Sequence, residues 1–308
     1  MSGRTVVRLA VLLVVVLVVW GALAVVRRPP ADAPHRLVIP KLDTAAVDTV
    51  VIAKAGDTAR LTHTASRQWR ENGFPAAPDA IAALLRGLAD TTGTSDEVSE
   101  NRASQPRFGI GPDSGQHVRV VSHSRTVLDL VTGHATSDYG GLYVRPVTDD
   151  AVYALHGSLA QALDRPIGDW RDKHIASVTA DSVGTIELTR AGRSTTLRRD
   201  GHSWRFASGG AADSTAVGSL LGQYRDLNAV GFAAPGAVDT ASVAHATRRI
   251  RLLSTHGAPL LALRFDSTAA RIWARADTGS TIFQLNAWML PQLVPADSTL
   301  RPKATHKH

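Results

Sequence analysis

Hydrophobic positions along this 308-residue chain follow two regimes. Near the start stands one unbroken run, Leu9 to Val26, reading LAVLLVVVLVVWGALAVV without a charge. A helix over it is apolar on every face, and Arg4, Arg8, Arg27 and Arg28 bracket its ends. At 1.5 Å per residue it would span roughly 27 Å, close to the hydrocarbon thickness of a bilayer, so the pattern predicts a membrane anchor rather than a core helix. Cleavage as a signal peptide is the competing reading, because Ala22-Leu23-Ala24 has the small-x-small pattern of a cleavage site. The apolar run continues through Val25 and Val26, which favours an uncleaved anchor. The arginines on the two sides balance under the positive-inside rule, and the short, signal-like N-terminus places the body outside.

After Val26 the apolar residues come in short runs, and the runs recur. Thr49-Val50-Val51-Ile52 predicts a strand, an Ala55-Gly56 turn follows, and a second strand runs through Leu61. Thr185-Ile186-Glu187-Leu188, Ala191-Gly192 and a strand through Leu197 repeat that order. Each set is followed by a short strand with a tryptophan, Gln68-Trp69-Arg70 and Ser203-Trp204-Arg205. Next, Ile81, Leu84, Leu85 and Leu88 stand at the spacing of one helix face, and Val217, Leu220, Leu221 and Tyr224 repeat that spacing. Pro78 and Ser214 occupy the first helical position, where a missing N–H costs nothing, and Asp213 is placed to cap the second helix. A second block of strands follows in each half. Val118–Val121, Val127–Val131, Leu142–Arg145 and Val152–Leu155 correspond to Ile250–Leu253, Leu260–Leu263, Ile272–Arg275 and Ile282–Leu285. Ser158 to Leu163 reads as a short closing helix.

These patterns predict an α+β protein: an N-terminal transmembrane helix, then two tandem duplicated domains, each a mainly antiparallel sheet of about seven strands with one or two covering helices. The expected boundaries are a membrane anchor over 1–28, a tether over 29–46, repeat 1 over 47–165, a connector over 166–182, repeat 2 over 183–294 and a flexible basic tail over 295–308. Strand order does not follow from the pattern. Trp69, Trp204 and Trp273 have the look of stacking platforms, but two of them recur beside equivalent turns, so core packing is the expected role.

Charge changes the picture less than its total suggests. The formal net charge is +7, but Arg4, Arg8, Arg27, Arg28, Arg301, Lys303 and Lys307 flank the anchor or lie in the tail. What remains is 27 Lys and Arg against 27 Asp and Glu, a neutral body without an electrostatic footprint for nucleic acid. The chain has no cysteine, which removes disulfides, thiolate metal sites, a cysteine nucleophile and a lipid-anchoring cysteine.

Twelve histidines invite a search for chemistry. None stands in H-E-x-x-H spacing. His117 and His123 fall on or beside a strand, and His134 in a loop near Asp138 admits a His–Asp pair, though a plain surface histidine is the simpler reading. His306 and His308 lie in the tail. Gly218-Ser219-Leu220-Leu221-Gly222 has the wrong spacing for a nucleophile elbow and lies within a helix. Gly109-Ile110-Gly111 with Gly115 follows no buried strand and is no dinucleotide fingerprint. Asp149-Asp150 reads as a hairpin turn rather than a glycosidase carboxylate pair. No catalytic, cofactor-binding or metal residue is assigned, and no cofactor is expected.

Several patches together resemble the family called domain of unknown function 4340. They are Gln68-Trp69 through Pro78-Asp79-Ala80 to Leu88, Phe108-Gly109-Ile110, Gly141-Leu142-Tyr143-Val144-Arg145 with Val152-Tyr153, and Trp170-Arg171-Asp172-Lys173-His174-Ile175. The likeness runs over roughly residues 36 to 295; Gly111-Pro112-Asp113 departs from the family's usual proline position. The resemblance implies an N-terminal transmembrane helix, an exported body and an accessory role beside ABC-type and gliding-motility-type export systems. It supplies no catalytic residue.

The expected function is therefore a non-enzymatic, membrane-anchored extracytoplasmic accessory subunit of an ABC-type export system, single-pass in the cytoplasmic membrane. Its expected partners are the lipid bilayer, through the N-terminal helix, and ABC-type permease subunits, with no nucleic acid. The alternatives are an exported scaffold or ligand-binding protein unconnected to a transporter, and an envelope-polymer hydrolase.

Overall fold

The computed structural model describes residues 36–90, 92–233, 246–267 and 271–302, with Leu13 and Val243 as single positions. Apart from Leu13, the predicted anchor Leu9 to Val26 lies outside the described residues, as do His306 and His308. Among the described residues no helix is long and apolar enough to cross a membrane. The described chain is α+β and mostly β, built on antiparallel sheets with few helices.

The first sheet collects β1 (Val47–Lys54), β2 (Asp57–His63), β3 (Trp69–Glu71), β4 (Phe74–Pro75), β5 (Ser95–Ser99), β6 (Gln116–Ser122), β7 (Arg125–Ala135), β8 (Gly141–Pro146) and β9 (Val152–His156). Its spatial order is β4-β3-β2-β1-β6-β7-β8-β9-β5. Alternation decides which side faces the core: Val50 and Ile52 of β1 meet Val120 and Val118 of β6, and all four are fully buried. A strict period of two would turn Asp48 inward. Instead the register slips between Val47 and Thr49, so Val47 is also buried while Asp48 stays exposed and accepts a hydrogen bond from the Ser124 N–H at 3.2 Å. Helix α1 (Pro78–Ala89) follows β4, and Ala80, Ile81, Leu84 and Leu88 bury its apolar stripe. Helix α2 (Ser158–Leu163) follows β9 and buries Leu159, Ala160, Ala162 and Leu163.

Beyond a connector, β10 (His174–Ala176) pairs with β14 (Leu227–Asn228) as a small separate ribbon. The second sheet holds β11 (Val183–Arg190), β12 (Arg193–Asp200), β13 (Ser203–Phe206), β15 (Gly231–Phe232), β16 (Arg248–Ser254), β17 (Pro259–Ser267), β18 (Arg271–Ala276) and β19 (Phe283–Asn286). Their order is β13-β12-β11-β16-β17-β18-β19-β15. The register of β11 also slips, between Val183 and Thr185, and Val183, Ile186 and Leu188 are all buried. Gly184 stands at that slip because a Cβ there would come within 2.5 Å of the Thr255 Cα. Helix α3 (Ser214–Gly222) packs Val217, Leu220 and Leu221 into the second core, and Asp213 caps it by accepting from the Thr215 and Ala216 N–H groups at 2.9 and 3.1 Å. Tyr224 lies past the helix end, is fully buried and donates its hydroxyl proton to the Leu293 carbonyl at 2.6 Å, in helix α4 (Leu290–Leu293).

The chain divides by internal contacts into two compact units, Met1–Thr58 with Ala82–Arg165, and Ala59–Ile81 with Pro166–His308. The strip 59–81 belongs with the second because its end is stitched to the connector. Ala76 bridges Arg171, the Ala77 N–H donates to the Trp170 carbonyl, and the Asp172 N–H donates to the Pro75 carbonyl, both at 2.9 Å.

The pattern predicts about seven strands per half, whereas among the described residues the sheets have nine and eight. The extra ones include β4 and β15, two residues each, too short to show a period. The tryptophans also part company. Trp204 joins the second core and is buried, with Arg199 stacked 4.9 Å over its ring. Trp273 is buried in a separate small cluster with Val243 and Ile282. Trp69 is only half-buried, edge-on to His63 at 5.4 Å.

Candidate functional site

The first unit carries a pocket of about 220 Å³ where the end of α1, the end of β9 and the start of α2 meet the segment 36–39. Two glycines let these pieces approach. A Cβ on Gly93 would lie 2.8 Å from the His156 carbonyl oxygen, and one on Gly157 would lie 3.0 Å from the Gly93 Cα. Gly157 also has φ of 105°, a conformation that side-chain-bearing residues rarely adopt.

Asp90, His156 and Ser158 bring the chemistry to this pocket. The Ser158 hydroxyl donates to Asp90 Oδ2 at 2.7 Å, while the Thr92 N–H and hydroxyl donate to Asp90 Oδ1 at 2.8 and 2.6 Å. These bonds, led by that from Ser158, hold the Asp90 carboxyl at a pKa of about 2. His156 Nε2 lies 3.2 Å from Asp138 Oδ2. Asp138 also accepts from the Thr136 hydroxyl and, at 3.1 Å, from the Gly140 N–H. The Thr136 bond is the largest reason that its pKa falls to about 2.

Asp138 therefore does pair with a histidine, but not with His134. The structure places His134 in β7, not in a loop, with its ring against the backbone of Gly109, where a Cβ would come within 2.5 Å of it. His156, 18 positions from Asp138, is reached only through the pairing of β8 with β9. His117 contacts Asp129 at 2.9 Å across β6 and β7, and Arg119 reaches the same carboxylate at 3.0 Å. His123 sits in the tight turn after β6 with φ of 48°. Asp149 and Asp150 join β8 to β9. Asp149 accepts from the Ala151 N–H at 3.2 Å, and the Gln105 amide donates to the Asp150 carbonyl at 2.9 Å. Among the described residues no group of three or more His, Cys, Asp or Glu could hold a metal ion.

The second unit holds a different constellation, at Arg171. Its guanidinium carbon lies 3.5 Å from the Phe74 ring centroid and 4.0 Å from that of Phe232. Glu71 is only 7% exposed and accepts from the Asn72 amide at 2.5 Å. Burial raises the Glu71 pKa against the opposing pull of Arg171, and burial lowers that of Arg171 against the pull of Glu71. This is a clamp on the connector rather than a reactive centre. Its sequence signal was the Trp170-Arg171-Asp172-Lys173 stretch.

The family model for Domain of unknown function (DUF4340) matches residues 69–246. The chain belongs to the DUF4340 family. Within this DUF4340 chain the matched span opens at Trp69 and takes in the Arg171 clamp with both of its phenylalanines, the Asp138–His156 pair and the Ser158–Asp90 bond. No curated protein and no solved structure matches the chain.

Proposed function

We propose that this DUF4340 chain is a membrane-anchored, extracytoplasmic accessory subunit of an ABC-type export system that works by binding rather than by catalysis. The observation that carries the non-catalytic part is the committed state of the pocket's polar groups. Asp90 in the pocket, and Asp138 as the partner of the pocket's His156, each accept from several donors and have pKa values of about 2, which makes them poor proton acceptors at neutral pH. The Ser158 proton is directed at Asp90, and His156 faces a different carboxylate. The anchor rests on Leu9 to Val26 and the transport partner on the family resemblance. Tethering raises the effective concentration of a membrane partner, so weak contacts suffice.

Two copies of one α+β unit belong to the same reading. Leaving out β4, the order β3-β2-β1-β6-β7-β8-β9-β5 has the same form as β13-β12-β11-β16-β17-β18-β19-β15. Both leading strands slip register at their second residue, and His63 opposite Trp69 has its counterpart in Arg199 opposite Trp204. The pocket favours one alternative, an exported ligand-binding protein unconnected to a transporter.

Crosslinking in native membranes separates the two. Recovery of permease subunits with the full chain, retained in a Ser158→Ala variant, is the expected result. A membrane-bound chain that recovers no transport subunit would end the transporter reading.

A further inference from the structure

The helix side of the second unit carries an open groove of about 380 Å³ between α3 and the chain around α4. Leu220, Pro295 and Leu300 form its buried part, and Ser219 and Gln292 stand exposed at its sides. None of the side chains that line it is charged. Helix α3 carries no charged residue along its whole length, whereas α1, at the matching place in the first unit, carries Asp79 and Arg86. The outer face of a surface helix is ordinarily polar and charged, so this one departs from the rule.

Trp288 extends the uncharged surface. It lies in the 3₁₀ turn Ala287–Met289 that runs directly into α4, and it is 63% exposed. Pro291 and Gln292, at i+3 and i+4, share its side of the helical turns; both are exposed and both line the groove. Leu290 and Leu293 point the other way and pack into the second core.

The charge lies at one end. Leu300 lines the groove, and the sequence after it reads Arg301-Pro302-Lys303-Ala304-Thr305-His306-Lys307-His308, three cations and no carboxylate. Arg301 is exposed, with its guanidinium carbon 4.5 Å from the Phe206 ring centroid. The carboxylates nearest in sequence are engaged: Asp213 caps α3, and Asp297 accepts from the Thr195 hydroxyl at 2.6 Å.

We propose that this face of the second unit, Trp288 with the groove between α3 and α4, docks on an anionic bilayer surface. An exposed indole with an uncharged surface beside it suits the headgroup boundary, and a basic run next to it meets anionic headgroups. A second copy docking by the same face would set two basic runs together, which like-charge repulsion opposes. The contact goes beyond the export reading and needs no transport subunit.

The chain has no cysteine, so one introduced thiol carries a unique fluorescent label. The full-length chain labelled at Gln292→Cys is reconstituted with phosphatidylcholine vesicles, with and without phosphatidylglycerol, that contain a lipid bearing a nitroxide quencher on its headgroup. Quenching is expected at Gln292→Cys and not at Ser194→Cys, an exposed position on the face of the sheet away from buried Leu197. Phosphatidylglycerol strengthens the quenching and salt weakens it. Lys303→Gln and Lys307→Gln each lower the ratio of docked to undocked chain about fivefold, and Trp288→Ala lowers it in both lipid mixtures. Unchanged thermal unfolding of these variants separates lost docking from misfolding. Equal quenching at the two labels would mean that the Leu9 to Val26 anchor alone holds the body near the bilayer, and this overturns the proposal. So does an unquenched Gln292→Cys label, including one shielded by a second copy or another protein. Resistance of the chain to alkaline extraction reports on the anchor separately, so the anchor and the docking face can fail independently.

Discussion

At the scale of single residues, Asp138 shows how local donors set a charge. Thr136, Gly140 and His156 all favour its ionised form and hold its pKa at about 2, against an ordinary value of 3.8. A carboxyl whose pKa is lower folded than unfolded adds stability that is fully present above about 3.8 and is lost as pH falls through about 2. Thr136→Val keeps the buried shape and removes the leading donor. The Asp138 carboxyl carbon, followed by NMR, is therefore expected to titrate closer to 3.8 in that variant; an unshifted titration would mean that Thr136 is not the cause. None of this was legible in the chain, where Asp138 has His134 four positions away and His156 far off. Asp138 lies in the turn between β7 and β8, and the pairing of β8 with β9, not nearness in sequence, brings His156 to it.

At the scale of elements, the helices were the most legible part. Four apolar positions at helix spacing located α1, and the same spacing with a capping Asp213 located α3. One contact between elements was not legible. Gly87 lies where α1 touches α2, and a Cβ there would come 2.6 Å from the Leu159 Cα and 2.9 Å from its nitrogen. Backbone atoms cannot step aside as a side chain can. Gly87→Val is expected to lower stability by about 1–3 kcal/mol, the usual range for overpacking, measured by thermal or denaturant unfolding. A wild-type midpoint would show that the helices separate without cost. The register slips in β1 and β11 escaped the pattern for a related reason: a bulge inserts one residue into a period of two, which reads locally as noise.

At the scale of the whole molecule, the sequence carries the topology prediction. With Leu9 to Val26 as the long apolar run and its N-terminal flank inside, a reporter fused after Leu300 is expected to report the extracytoplasmic side. Cytoplasmic signal from that fusion would reverse the orientation. Sequence by itself determined what depends on neighbours along the chain: an apolar run long enough for a bilayer, the alternation of strands, the faces and cap of the helices, a neutral body, and the recurring order of elements. Only the tertiary structure decided what depends on residues far apart. It set the order of the strands, the meeting of Asp138 with His156, and the closure of Arg171 between Phe74 and Phe232. The physical reason is register: which side chains meet across a sheet depends on how strands slide and bulge against one another, and that is settled by burying the whole core at once rather than by any one strand.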